Sequence, residues 1–393
     1  MIDYLVGGVR ISLDASSHTP GPRTHITKFV DAARTCGHQT DVHLASDMPL
    51  MGRFARVSDA GYKDLGTSRI LAVDLLRVAI MVWCGFWVAV RSFRRPAPEI
   101  IYERSAVFQS LTSFHRYKKR AIRVVEANGI FSRETARDRN ISRAVWLSAL
   151  VERHVLRRAD LVVVVSDALA REIEHFAGVD RTRMLVVPNG IDPALLEVER
   201  TKSDKFTFGF VGAVVEWQDL GSIIPAVCRR LGEPGVLVDG RAVAIDIVGD
   251  GSALDGLRDV VTRHSWGRYV TFHGQVPSER ARSLMSTWDV GIAGHRATSS
   301  MSMYHSPLKS YEYAGMGLDI LCTPSEDARR LAESGAAVHV FDSLDQLDTI
   351  LSQPDLLVRD SRAVEKARRS VIDDHSWDSR VQEIVETARG VRV

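Results

Sequence analysis

The 393 residues carry 51 Lys and Arg against 49 Asp and Glu, and a net charge of +2 makes no demand for a nucleic-acid partner. At 45% hydrophobic and 25% charged, the composition excludes a disordered chain, and the length suffices for two domains of ordinary size. Cys36, Cys84, Cys228 and Cys322 form no CxxC pair, which argues against a disulfide framework or a structural zinc site and suits a reducing cytoplasm.

The N-terminal MIDYLVGGVRISLD has no basic head followed by a long apolar core, so no signal peptide is expected. Val6–Leu13 reads as a strand, followed by a turn-rich loop from Ser16 to Arg23, a helix over Thr24–Cys36 stopped by Gly37, and a strand over Thr40–Leu44. Val78–Val90 is the most apolar run, with Asp74 and Arg77 before it and Arg91 after. It falls short of the roughly 20 residues that a bilayer requires, so a core helix is expected. A second reading is an interfacial helix, drawing on Trp83, Phe86, Trp87, Arg94, Arg95 and the basic FHRYKKRAIR, Phe114–Arg123.

Strand-like runs continue at Glu99–Tyr102, Ile122–Glu126 and Leu161–Val165, and LVVPNGIDPALL (Leu185–Leu196) closes the series before the charged Glu197–Lys205. A second series comprises Phe206–Val211, Ala244–Val248, Tyr269–Phe272, Asp289–Ala293, Asp319–Leu321 and Ala337–Phe341. This βαβα rhythm predicts an α/β protein of two Rossmann-like, doubly wound domains facing a cleft, with ligands at the carboxyl ends of the strands. The expected domains are 1–200 and 201–374, and the helix Trp377–Ala388, within 375–393, is expected to pack back on the first.

Three glycine sites follow strand-like runs: Gly7-Gly8 with the Pro20-Gly21-Pro22 loop, Gly212 in FVGAVVEW, and Gly249 and Gly251 flanking Asp250 in IVGDGSALDGL. Glycines there let backbone N–H groups approach a phosphate, although each also serves as an ordinary tight turn. In HSPLKSYEYAGMG a helix is expected from near Pro307, placing Lys309 one turn before Glu312. Alone, this is a solvated i, i+3 ion pair. Beside the glycine turns it suits a nucleoside diphosphate, with Glu312 on the ribose diol and Lys309 on the diphosphate. No HExxH, DxD or GxSxG occurs, so no metal, resident cofactor or serine nucleophile is expected. Asn189 in PNGID reads as a turn former near the hinge.

The segments VVPNGID, FGFVGAVVEW, IVGDGSALDGLRDVV, YVTFHGQVPSERARSLMSTWDVGIA and SPLKSYEYAGMG follow one another in an order that resembles retaining glycosyltransferases of family 4, with the GT-B fold. HSWDSRVQEIVE is similar to that family's closing helix. The likeness runs from Leu161 to Glu386 and is looser earlier, at Gly7-Gly8, CGHQTDVHL, IIYERS and VVEANGIF.

The resemblance implies a nucleotide-diphospho-sugar donor, an acceptor of unknown identity and retention of anomeric configuration. It places Glu312 on the ribose, Gly249, Asp250 and Gly251 beside the donor, and the backbone at Gln275 and Val276 on the base. Gly8, Gly212, His295, Ser306, Pro307 and Leu308 complete the donor-side set. Two departures stand out. Glu216, Gln218 and Asp219 occupy the stretch where many relatives carry Arg and Lys, and Tyr304 stands where many carry a Glu eight residues before the ribose Glu. The diphosphate charge then falls to Lys309, with Arg296 or His295. On the acceptor side the candidates are Glu126, Asn128 and Arg104, with Glu134 eight residues after Glu126, weighed against a helix cap and surface charge. His18 and His25 flank the first-domain loop, and His25 reads equally as a solvated helix residue or an acceptor contact. The enzyme is expected in the cytoplasm, with peripheral contact at the inner face of the membrane as a second arrangement. A sugar-nucleotide epimerase and a non-catalytic nucleotide-sugar-binding subunit are the rival readings.

Overall fold

The computed structural model describes residues 1–8, 11–13, 20–51, 67–137, 142–232, 236–296 and 305–391. Two compact units emerge, Met1–Asn189 with Trp377–Val393, and Gly190–Met303 with Pro307–Ser376, while Ser306 groups with the first.

In the first unit, β1 (Ile2–Val6), β2 (Thr40–Leu44), β3 (Ile100–Arg104), β4 (Ile122–Ala127), β5 (Leu161–Val164) and β6 (Met184–Val186) form a parallel sheet in the order β2-β1-β3-β4-β5-β6. Every residue of β1, β3 and β5 is buried, as expected where helices cover both faces of a parallel sheet. The first strand is Ile2–Val6, not Val6–Leu13: it ends at Gly7, and Gly8 turns the chain at φ +80°. The register Val6↔Leu44 and Val6↔Arg104 then brings three strand ends into line. Helix α1 (Pro20–Thr35) also starts before the expected Thr24, so Pro20-Gly21-Pro22 is not a loop. Pro22 sits in its first turn, where a missing N–H costs nothing. The closing helix Trp377–Gly390 packs on α1, with Val381, Ile384, Val385 and Ala388 buried.

The apolar run of the first unit is neither short nor a core helix. Helix α2 spans Thr67–Phe93, 27 residues, and only 22% of its most apolar 18-residue stretch is buried. By length and composition α2 is long and apolar enough to cross a membrane. One stripe is buried, from Ile70 and Asp74 through Cys84 and Gly85 to Val88 and Ser92. Asp74 Oδ2 accepts from the backbone N–H of Arg143 and Ala144, both at 2.8 Å.

In the second unit, β7 (Lys205–Val211), β9 (Arg241–Val248), β10 (Val270–Gly274), β11 (Val290–Ala293), β12 (Asp319–Cys322) and β13 (Val338–Val340) form a parallel sheet in the order β10-β9-β7-β11-β12-β13. A short β8 (Leu237–Val238) pairs antiparallel with β9. Its two-residue turn is Asp239-Gly240, both at positive φ (+51° and +71°). That dipeptide is a strong hairpin signal, passed over in the strand reading above.

Candidate active site

In the second unit the candidates gather at the carboxyl ends of the strands. β7 and β9 end side by side, Val211 opposite Val248. The turns that follow interlock through the backbone: Gly212 N–H donates to the Val248 carbonyl at 3.0 Å, and Val214 N–H to the Asp250 carbonyl at 2.9 Å. Gly249 N–H donates to the Gly274 carbonyl at 2.8 Å, tying in the end of β10, where Gln275 and Val276 follow. Side chains have no room here. A Cβ on Gly249 (φ +132°) would overlap the Gly212 carbonyl oxygen, and one on Gly251 the carbonyl of Val214. These glycines are therefore required by turn packing before any ligand is considered. Asp250 Oδ1 accepts from Gly251 N–H at 2.7 Å.

Beside this interlock lies Lys309. The helix Leu308–Met316 begins directly after Pro307, and Gly317 stops it at φ +74°. Lys309 Nζ lies 4.0 Å from the centroid of the Phe210 ring and donates to Gln218 Oε1 at 2.6 Å. It also lies 3.5 Å from where a Cβ on Gly212 would stand. Gln218, one of the residues in the stretch that departs from the family pattern, is thus the hydrogen-bond partner of Lys309. Burial pulls the Lys309 pKa down to about 7, while the charge of nearby Glu312 opposes the fall. Glu312 is half-buried, one turn along the helix.

Two tyrosines hold this helix in place, and the sequence reading gave them no role. Tyr313 Oη accepts from Val211 N–H at 3.0 Å, and Tyr311 Oη donates to Asp327 at 2.8 Å; both rings are fully buried. Buried aromatics spaced one residue apart from a charged one are the signal that points to this arrangement. Arg296 is paired with Asp219 at 2.7 Å and half exposed, and its backbone N–H donates to the Trp217 carbonyl. It therefore sits on the same turn as Gln218, with half-buried His295 before it. Ser306 Oγ accepts from Asn189 N–H at 3.0 Å, and Asn189 Nδ2 donates to the Ser306 carbonyl, so Asn189 clamps the approach to Pro307 and Leu308. Tyr304 and His18 lie outside the described residues.

A cavity of about 550 Å³ lies at the opposite end of this sheet, near the first residues of β7, β9 and β12. Its charges are largely matched internally, Arg241 with Asp289 at 2.7 Å and Arg359 with Asp319 at 2.5 Å. In doubly wound sheets ligands bind at the carboxyl ends, so volume is the poorer guide here.

The acceptor-side candidates of the first unit form a buried ion cluster. Arg104 ends β3 opposite Glu126 of β4. Arg104 donates to Glu126 Oε1 and, at 3.0 Å, to His25 Nδ1. His25 therefore accepts at Nδ1 and carries its proton on Nε2, 3.5 Å from Glu126 Oε1. Burial lowers the His25 pKa to about 4, so the ring is neutral. Tyr4 Oη donates to Glu126 Oε2 at 3.2 Å, and Asn128 Nδ2 to Oε1. Burial pushes Glu126 up, but Arg104, His25 and Asn128 outweigh it and hold the carboxyl below its usual range. The rings of Trp377 and His25 meet edge to face with centroids 4.8 Å apart. Glu126 is thus neither a helix cap nor surface charge, and His25 is not solvated. Glu134 belongs to the helix Phe131–Arg137, where it folds over Gly129. On β1's side, Gly8 turns the chain at positive φ. Glu103, which the sequence reading did not single out, accepts from Leu111 and Thr112 N–H at 2.7 and 2.8 Å.

Two substitutions test these electrostatics. Arg104→Met leaves a buried carboxylate uncompensated and should cost about 3–5 kcal/mol in urea unfolding near neutral pH. The loss should shrink in acid, where Glu126 takes up a proton. Lys309→Met should raise the melting temperature. The folded pKa of Lys309 lies below the unfolded 10.5, so its protonation opposes folding fully below about pH 7 and progressively less as pH rises toward 10.5. The gain should therefore be larger in mildly acidic than in alkaline buffer.

Comparison with known proteins follows the same division. The family model Glycosyltransferase Family 4 matches residues 21–195, and the model Glycosyl transferase-like matches residues 236–386. No curated protein sequence matches. Among solved structures, Anabaena HepE in complex with UDP aligns with a TM-score of 0.61 at 15% identity, covering 99% of both chains. Sucrose-phosphate synthase from Thermosynechococcus elongatus aligns with a TM-score of 0.65 at 13% identity, over 99% of this chain and 98% of that one. WaaG, a glycosyltransferase involved in lipopolysaccharide biosynthesis, aligns with a TM-score of 0.62 at 14% identity, over 99% and 100%. Such identities speak for the fold. With a transferase model on each half and two parallel α/β sheets of this order, the chain is a family 4-like glycosyltransferase of the GT-B fold.

Proposed function

We propose that the enzyme transfers a sugar from a nucleotide-diphospho-sugar, bound by the second unit, to an acceptor bound by the first, with retention of configuration. The observation that carries this reading is the placement of Lys309, held against Phe210 and Gln218 beside the Gly212 turn, with Glu312 one turn away. The fold neighbour HepE, crystallised with UDP and with UDP-glucose, supports the donor class. WaaG in lipopolysaccharide and AviGT4 in avilamycin A biosynthesis support a glycan or natural-product pathway. Free, mostly buried cysteines suit a cytoplasmic setting.

In this proposal Glu312 accepts hydrogen bonds from the ribose diol, and Lys309 faces the diphosphate. The acceptor oxygen attacks the anomeric carbon on the face from which the diphosphate departs. The C–O bond breaks with its electron pair going to the diphosphate, and the acceptor proton passes to that departing oxygen. No protein base is then needed, and the enzyme supplies orientation and fixed positive charge, here from Lys309 without a metal ion. An anion beside Lys309 favours its charged form, so donor binding brings a proton onto the amine.

Lys309→Ala should lower turnover about 100- to 1,000-fold, the usual cost of removing one preorganised stabiliser of leaving-group charge. Lys309→Arg should restore part of it, and EDTA should leave the wild-type rate unchanged. Near-normal turnover in Lys309→Ala, or EDTA inhibition reversed by a divalent cation, defeats this assignment. Separately, Glu312→Gln should weaken UDP binding in calorimetry while the melting temperature holds. Unchanged affinity removes Glu312 from the ribose.

A further inference from the structure

Helix α2 has its polarity reversed relative to an ordinary surface helix. Its buried stripe includes Asp74 and Ser92, whereas its outward stripe is apolar: Leu71, Leu75, Leu76, Val82, Trp83, Phe86 and Phe93 are exposed, Leu75 at 70% and Phe93 at 65%. The spacing recurs every three to four residues, so these side chains share one face. That face runs along a helix about 40 Å long. Soluble proteins rarely leave so continuous an apolar patch open.

The surroundings point to what covers it. Residues 69–95 and 114–123 hold ten Lys and Arg against one acid, Asp74, in a chain whose overall net charge is only +2. Asp74 is buried, paired with Arg77 at 2.8 Å, and does not offset the surface charge. Arg94, Arg116, Lys118, Lys119 and Arg120 are exposed. The basic run is joined to the apolar face: Gly85 of α2 admits the Phe114 ring, and the Arg116 guanidinium lies 4.7 Å from the centroid of the Phe93 ring. The Trp83 indole N–H already donates to the Pro49 carbonyl at 2.9 Å, so the ring can leave water without an unpaired donor. Next to it, Leu50 is 74% exposed and held at φ +71°.

We propose that the outward face of α2 docks on an anionic lipid bilayer as an interfacial helix, with the basic 114–120 segment on the headgroups. An apolar stripe rimmed by Lys and Arg, with aromatic side chains between, is the pattern of helices that lie in the membrane interface. Spanning is disfavoured by the other stripe, which packs on the core through Cys84 and Val88 and holds Asp74 within the apolar window. Arg77, Arg95 and Arg123 pair with Asp74, Asp41 and Asp160, yet the exposed Arg94, Arg116, Lys118 and Lys119 still rim the patch, which favours an anionic surface over an apolar protein face. The α2 face and its basic rim are independent of the donor site.

The test is co-sedimentation of the full chain with phosphatidylglycerol-rich and with pure phosphatidylcholine vesicles, at low and high salt. The protein should pellet with the anionic vesicles at low salt and release at high salt. Lys118→Ser should weaken binding about fivefold, and Lys118→Ser with Lys119→Ser about 25-fold. Leu75→Ser with Phe86→Ser should abolish it while the melting temperature shows the fold intact. Failure to pellet with anionic vesicles at low salt overturns the proposal, as does equal pelleting of the Leu75/Phe86 variant. A dimer in light scattering that this variant breaks, without vesicle binding, assigns the face to a second copy. Resistance of cell-membrane-bound protein to alkaline carbonate assigns α2 a spanning role instead.

Discussion

The second unit depends on backbone meeting backbone at the ends of β7 and β9. Once Gly212 donates to Val248 and Val214 donates to Asp250, the two turns are closer than any side chain permits. That contact sets where the helix Leu308–Met316 can lie, because Tyr313 reaches the end of β7 and bonds Val211 N–H. The same helix then carries Lys309 to the Phe210 ring and Gln218. A cation at this spot is the consequence of a steric constraint several residues away.

The first unit solves a different problem. Arg104 and Glu126 at the carboxyl ends of β3 and β4, His25 on α1 and Tyr4 within β1 are buried ionisable groups, and each would be costly alone. Together they satisfy one another, with the carboxylate charged, the guanidinium charged and the imidazole neutral. Preorganisation of this kind holds polar groups rigid before any ligand arrives. Trp377 covers His25, so the closing helix is part of the cluster's wall as well as of the fold.

A buried cation with a lowered pKa and a buried cluster with a fixed carboxylate have different tolerances for change. Lys309 destabilises the fold when protonated, because burial lowers its pKa in the folded state. The Arg104–Glu126 pair, by contrast, breaks badly when halved, because a buried charge is left uncompensated. The exposed stripe of α2 is a third case, an arrangement unfavourable in water alone, as expected of a surface whose final environment is not water.

Sequence alone determined the alternation of strands and helices, the parallel sheets, the place of the donor motifs at strand ends, and the closing helix, because period, β-branching and glycine position are local properties. It also determined the transferase family, through the order of its motifs. The first strand was misplaced because Val6–Leu13 and Ile2–Val6 are comparably apolar, and only pairing with Thr40 and Ile100 selects the latter. Lys309 and Glu312 looked like an ion pair by spacing, and only the fold supplied Gln218 as the partner of Lys309. Glu126 looked like a cap or surface charge until strand register placed Arg104 opposite it. The apolar run of α2 gave its composition but not its orientation, since which stripe faces inward depends on what the rest of the chain leaves to pack against.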